Sequence, residues 1–185
     1  MKKLIAIAVF ATVAISVKAQ SSNQASSASQ TVKLALSNAI ELTFTGNGSA
    51  QGADVTIPFN SVNDYANGVE SNDQQLKVRS NKDFDVTVKT NAANFTYTGN
   101  TSPAPVMPVS GVLNLKVTAN GTGGAIASPF SSTAYASLTD ADQDLIADGD
   151  RGGNQTFDIK YKATPGFAYP AGTYAVDVVY TATQK

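Results

Sequence analysis

Thr139 to Asp150 reads TDADQDLIADGD, with five aspartates in twelve residues, the densest run of potential chemistry in the chain. Carboxylates at alternate positions can wrap a hard cation such as calcium. An EF-hand loop begun at Asp140 would need glycine at its sixth position and glutamate at its twelfth. Leu145 and Arg151 stand there, so the pattern fails. The plainer reading is a short helix over Thr139–Ala147, capped by Thr139 or Asp140, with acids near its start and a turn at Gly149. No metal site is expected.

The other chemical candidates are thinner. Hydrolysis by a carboxylate pair needs two acids facing each other across a cleft; Glu41, Asp54, Asp64 and Glu70 qualify by type, and nothing in their spacing pairs any two. Gly121, Gly123 and Gly124 lack the Lys-Ser/Thr of a phosphate loop and read as a flexible connection. Tyr65, Tyr97, Tyr135, Tyr161, Tyr169, Tyr174 and Tyr180 could stack on sugar faces, but tyrosine is also what a sheet packs with. Sequons at Asn47, Asn94, Asn100, Asn120 and Asn154 fit chance in a chain so rich in Asn and Thr.

What is missing excludes more. With no His and no Cys in 185 residues, there is no imidazole base, thiolate nucleophile, Ser-His-Asp triad or His/Cys zinc site. Lys and Arg number 13 against 14 acids, a net of −1, too little positive charge to hold nucleic acid by its phosphates. The expectation is a non-enzyme with no cofactor and no nucleic-acid partner.

The elements that would position these residues begin after a targeting segment. Met1-Lys2-Lys3 is a basic start, Leu4–Val17 an uncharged apolar run, and Val17-Lys18-Ala19 a cleavage site, so residues 1–19 read as a signal peptide cut before Gln20. The run is short of the ~20 residues of a spanning helix, and no later stretch qualifies; no transmembrane segment remains after cleavage. The expected location is exported, extracellular or at the cell surface, by way of the periplasm. The remaining chain carries 10 basic and 14 acidic side chains, a net of −4. Residues 20–30 are Ser/Gln-rich and too polar to offset ordering entropy: a flexible leader.

Residues 31–185 are long enough for one core and read as one domain. Val32, Leu34 and Leu36 alternate with polar or small residues, as do Ile40, Leu42 and Phe44, one step out of phase. Further strands are expected at Asp54–Phe59 (an edge, because of Pro58), Leu76–Arg79, Phe84–Lys89, Phe95–Tyr97, Val112–Val117, Phe157–Lys162 and Tyr174–Tyr180. Ser80-Asn81-Lys82-Asp83 reads as a hairpin turn. Strands in series without alternating helices give an all-β fold, an immunoglobulin-like antiparallel β-sandwich with Greek-key connections and room for one short helix.

Asp64–Val69 followed by Leu76–Ser80 and Phe84–Val88 resembles small secreted β-sandwich proteins of Gram-negative bacteria. Tyr169–Tyr174 with Val176, Val178 and Tyr180 is similar to the last strand of fimbrial domains, including spore-coat-U-like pilins. That resemblance implies a structural subunit of a surface or fimbria-like assembly, polymerising by donation of an N-terminal strand to itself or to other assembly subunits. The chain lacks the cysteine pair many such subunits carry. Its candidate assembly strand is Thr31–Leu36, with Val32, Leu34 and Leu36 as the apolar face. The rival expectation is a monomeric secreted module that binds a glycan or protein through its loops and tyrosines.

Overall fold

Alternating apolar residues demand strands, and strands with one apolar face must be stacked to bury it. The computed structural model describes residues 26–46 and 48–185; the expected signal peptide and the first part of the expected leader lie outside them. Leu36–Lys185 forms one compact unit, and the described residues 26–35 belong to a separate one. In the larger unit the strands are β1 (Ile40–Phe44), β2 (Val69–Glu70), β3 (Gln74–Ser80), β4 (Phe84–Thr90), β5 (Thr96–Thr98), β6 (Leu113–Asn120), β7 (Ala125–Ile126), β8 (Ala136–Ser137), β9 (Gln143–Gly149), β10 (Gly152–Ala163), β11 (Thr173–Ala175) and β12 (Val178–Gln184). One helix, α1 (Val62–Asn67), precedes β2.

The fold is all-β, as expected. One sheet runs β1-β3-β10-β6-β8, with β2 also on β10, and the other runs β12-β4-β9-β7. A two-stranded ribbon joins β11 to β5, and every pairing is antiparallel. The core is a single cluster fed from both sheets. Leu76, Val78, Leu115, Val117, Phe157 and Ile159 come from the first, Phe84, Val86, Val88, Leu145 and Ile146 from the second. All of these are essentially inaccessible to solvent.

Several expectations need correction. Residues 80–83 do not close a hairpin: β3 pairs with β1 and β10, and β4 with β12 and β9. The turn is an arch that carries the chain from one sheet to the other, so that Leu76 and Val78 meet Phe84 and Val86 across the core. The stretch Asp54–Phe59 joins no strand; Pro58 lacks a ladder donor, and only Ile57 of the segment packs against the core. The expected helix over Thr139–Ala147 is instead the approach to β9 and, from Gln143 on, β9 itself, with Leu145 and Ile146 both fully buried between the sheets. Thr31–Leu36 carries no strand either: residues 26–39 have no regular structure and are exposed.

The helix that does form was not expected. Ser61 caps α1 by accepting from Asp64 N, while the Asp64 carboxylate accepts from the amides of Asn60 and Ser61 at 2.7 and 2.8 Å, a capping box with Asp in the Glu position. Those donated hydrogen bonds, Asn60's first, hold the Asp64 carboxyl below its ordinary range.

Candidate functional site

The expected assembly residues lie in water. Val32, Leu34 and Leu36 are 77, 85 and 88% exposed. Three aliphatic side chains on alternate positions, all exposed, leave apolar surface in water. The chain settles only after them. The Asn81 side chain, in the arch, donates to Ser37 O at 2.8 Å and accepts from Ala39 N at 3.0 Å, and Gln184 Nε2 donates to Ala39 O at 2.8 Å.

A surface able to receive such a strand exists on the larger unit. Strand β12 pairs with β4 in unbroken register from Val178↔Thr90 to Gln184↔Phe84, and among the described residues no strand pairs with its other side. Edge strands are normally blunted by charge, proline, a bulge or shortness. None of these occurs between Val178 and Gln184 (VVYTATQ), seven residues long. The consequence is visible in the packing. The core-facing Val178, Tyr180 and Ala182 are only half-buried, whereas Phe84, Val86 and Val88 on the next strand are sealed. Across the gap stands β1, the edge of the other sheet, with Leu42 and Phe44 also half-buried. Phe44 meets Tyr180 edge-on at 6.2 Å between ring centroids.

The aspartate run comes apart. Asp142 pairs with Lys89 at 3.1 Å, and Asp148 with Lys185, which also reaches Asp85 at 3.1 Å. Among the described residues no three acids converge to hold a metal ion. Of the single acids, Glu41 pairs with Arg79 at 2.9 Å and Asp64 is committed to its cap.

The tyrosines, by contrast, partly converge. Tyr65 on α1 stacks on Phe167 at 5.6 Å and leans on Phe59 at 5.3 Å. Tyr174 on β11 contacts Tyr97 on β5 at 5.0 Å and Tyr169 at 6.3 Å. Phe59, Asn60, Ser61, Val62, Tyr65, Phe167 and Tyr169 line an open cleft of about 410 Å3. Tyr161 and Tyr180 go elsewhere, meeting hydroxyl to hydroxyl at 2.7 Å inside the sandwich. Phe59 and Phe167 were not singled out from sequence. The spacing Pro165-Gly166-Phe167-Ala168-Tyr169-Pro170, a turn presenting aromatics at alternate positions, is the signal that could have found the latter.

No protein-family model and no curated protein matches the chain. Its function must therefore be argued from these surfaces. Among the described residues no helix is long and apolar enough to cross a membrane.

Proposed function

We propose that the protein is a non-enzymatic structural subunit of a bacterial surface or fimbria-like assembly, exported through the periplasm after loss of residues 1–19, and that copies polymerise by strand donation. Thr31–Leu36 of one copy adds to the β12 edge of the next, with Val32, Leu34 and Leu36 turned toward the half-buried seam of Leu42, Phe44, Val178, Tyr180 and Ala182. The larger unit of each copy is the sandwich described above, read as immunoglobulin-like with Greek-key connections.

The observation that carries this reading is the undefended β12 edge. A long, uncharged edge offers a row of unpaired backbone donors and acceptors to any extended chain, and the ladder it forms is that of an ordinary sheet. Burial of the three donor side chains contributes about 5 kcal/mol in area terms before ordering costs are deducted. The contact is head-to-tail and does not close on itself, so it builds fibres rather than rings or dimers.

The absence of cysteine gives a direct test. Lys33 and Ala35 lie on the donor's polar side, and Val179, Thr181 and Thr183 on the exposed face of β12. Single cysteines at 33 or 35, each combined with one at 179, 181 or 183, are oxidised in cells exporting the chain. In the paired register directly opposed β-carbons stand about 4.5–5.5 Å apart, closest in the non-hydrogen-bonded pairs, where a disulfide can form. At least one combination yields a ladder of covalent multimers that collapses on reduction. Monomer in every combination overturns strand donation and leaves the monomeric binding module.

A further inference from the structure

We propose that the cleft between α1 and the Pro165–Pro170 turn is a binding site for a neutral sugar residue of a glycan, seated on the open face of Phe167. The site is independent of strand donation, since none of its residues belongs to β12 or to Thr31–Leu36.

Phe167 is the first reason. It is 67% exposed, a large apolar ring left in water although Tyr65 and Phe59 lie beside it. Tyr65 stacks on one side of Phe167, with 23° between the rings, and the high exposure of the residue leaves much of the ring in solvent. An aromatic face displayed in this way packs against the C–H-bearing face of a pyranose, where the ring's negative π-cloud meets slightly positive C–H groups.

The polar groups around that ring are the second reason. The side-chain amide of Asn60 and the hydroxyls of Tyr65 and Tyr169 have no hydrogen-bond partner among the described residues, and all three residues line the cleft. An amide and two phenols, each able to donate and accept, match vicinal hydroxyl groups, which also do both. Ligand sites are built in this way, from apolar walls and a few oriented polar groups, with volumes of roughly 300–1,000 Å3.

Charge selects the ligand class. No Lys or Arg lines the cleft. Beside it stands the Asp64 carboxylate, which accepts from the amides of the lining residues Asn60 and Ser61 and is held ionised by them. A sialic acid, uronic acid or phosphate would meet no countercharge and a like charge instead; a neutral hexose or N-acetylhexosamine meets neither obstacle.

The walls are fixed before any ligand arrives. The capping box sets Asn60 and Ser61, Tyr174 Oη donates to Pro170 O at 2.8 Å, and Tyr97 Oη donates to Ala171 O at 3.1 Å while accepting from Thr101 N at 3.2 Å. Little ordering cost is left to be met on binding.

The test is an array of neutral hexose- and N-acetylhexosamine-terminated oligosaccharides, with sialylated oligosaccharides and a decaproline peptide beside them, probed with the purified protein. The strongest neutral probe is then titrated calorimetrically. Neutral probes bind and sialylated counterparts of the same core bind more weakly. Phe167→Leu, which keeps the apolar bulk and removes the π-face, weakens binding by about tenfold or more, as does Asn60→Ala. Neither moves the melting midpoint appreciably, because both positions are exposed. The proposal is overturned if no neutral probe binds at concentrations up to about 10 mM, if decaproline binds and the sugars do not, or if binding survives Phe167→Leu.

Discussion

Tyr161 on β10 and Tyr180 on β12 tie the two sheets together through their hydroxyls, 2.7 Å apart. The Tyr161 backbone amide is itself satisfied by Ser71 Oγ at 3.0 Å. Removing one hydroxyl leaves the other buried without a partner, which costs about 1–3 kcal/mol, whereas removing both spares that penalty. Tyr161→Phe and Tyr180→Phe should therefore each lower stability by that amount, and the double variant by less than their sum; denaturant titration of all four forms completes the cycle. Burial pushes the Tyr161 phenol up to about 12 and Tyr180 well above its ordinary value of 10.0. Because the folded values lie above the unfolded one, the unfolded chain loses its protons first as pH rises. The stability these tyrosines contribute is then complete below pH 10 and falls between about 10 and 12. A melting midpoint that declines over that window in the wild type, and less steeply in the double Phe variant, is the expected profile. At this scale the sequence showed which residue types were present but not their company. Tyr97 and Tyr174, on strands far apart in the chain, meet only because β5 and β11 pair.

Strand β12 differs from the other edges of the sandwich in length and lack of defence. The opposite edges, β7 and β8, are two residues each, too short to template an added strand. A single lysine on β12's exposed face should supply the missing protection. Thr181→Lys is expected to keep the melting midpoint near that of the wild type, as surface substitutions usually do within about 0.5 kcal/mol, and to suppress multimers seen by size-exclusion chromatography; undiminished multimers would move the acceptor surface away from β12. Elements were legible where a strict two-residue alternation survives, as in QLKVRS of β3, FDVTVK of β4 and FDIKY of β10. They were lost where it breaks. In β9 the register against β4 shifts on both sides of Val86, a bulge that turns the neighbours Leu145 and Ile146 both inward. Two adjacent buried residues flanked by acids read as a helix. The arch at residues 80–83 was misread for a different reason: SNKD suits a hairpin and a sheet-crossing turn equally, and only the identity of the partner strand separates them. Helix α1 buries no residue, so it leaves no apolar periodicity, and only Ser61-x-x-Asp64 announces it. The Tyr174–Tyr180 run is two strands, divided where the Asn91 side chain clasps Asp177 through both its nitrogen and its oxygen.

At the scale of the whole fold, no two strands consecutive in sequence are hydrogen-bonded to each other among the described residues. Every ladder joins distant segments, and such topologies fold slowly because loop-closure entropy must be met before contacts form. Among the described residues β12 pairs only with β4, which leaves its outer flank without a ladder partner. The apolar face of residues 32–36 was legible from alternation alone; its solvent exposure and the open edge that suits it were not, since both depend on which strands pair. The proposed export has a test of its own. Exported protein should have an intact mass that begins at Gln20, and a retained Met1 or Lys18 would remove the surface location. The central claim, that Thr31–Leu36 links copies, is met most directly by one comparison: negative-stain microscopy of wild-type and Leu34→Asp protein, each with its thermal melt. Strand donation predicts fibres from the wild type and dispersed monomers from Leu34→Asp, with the melt of the sandwich unchanged. Fibres that persist in Leu34→Asp, or a wild type that stays monomeric at all concentrations, would contradict it.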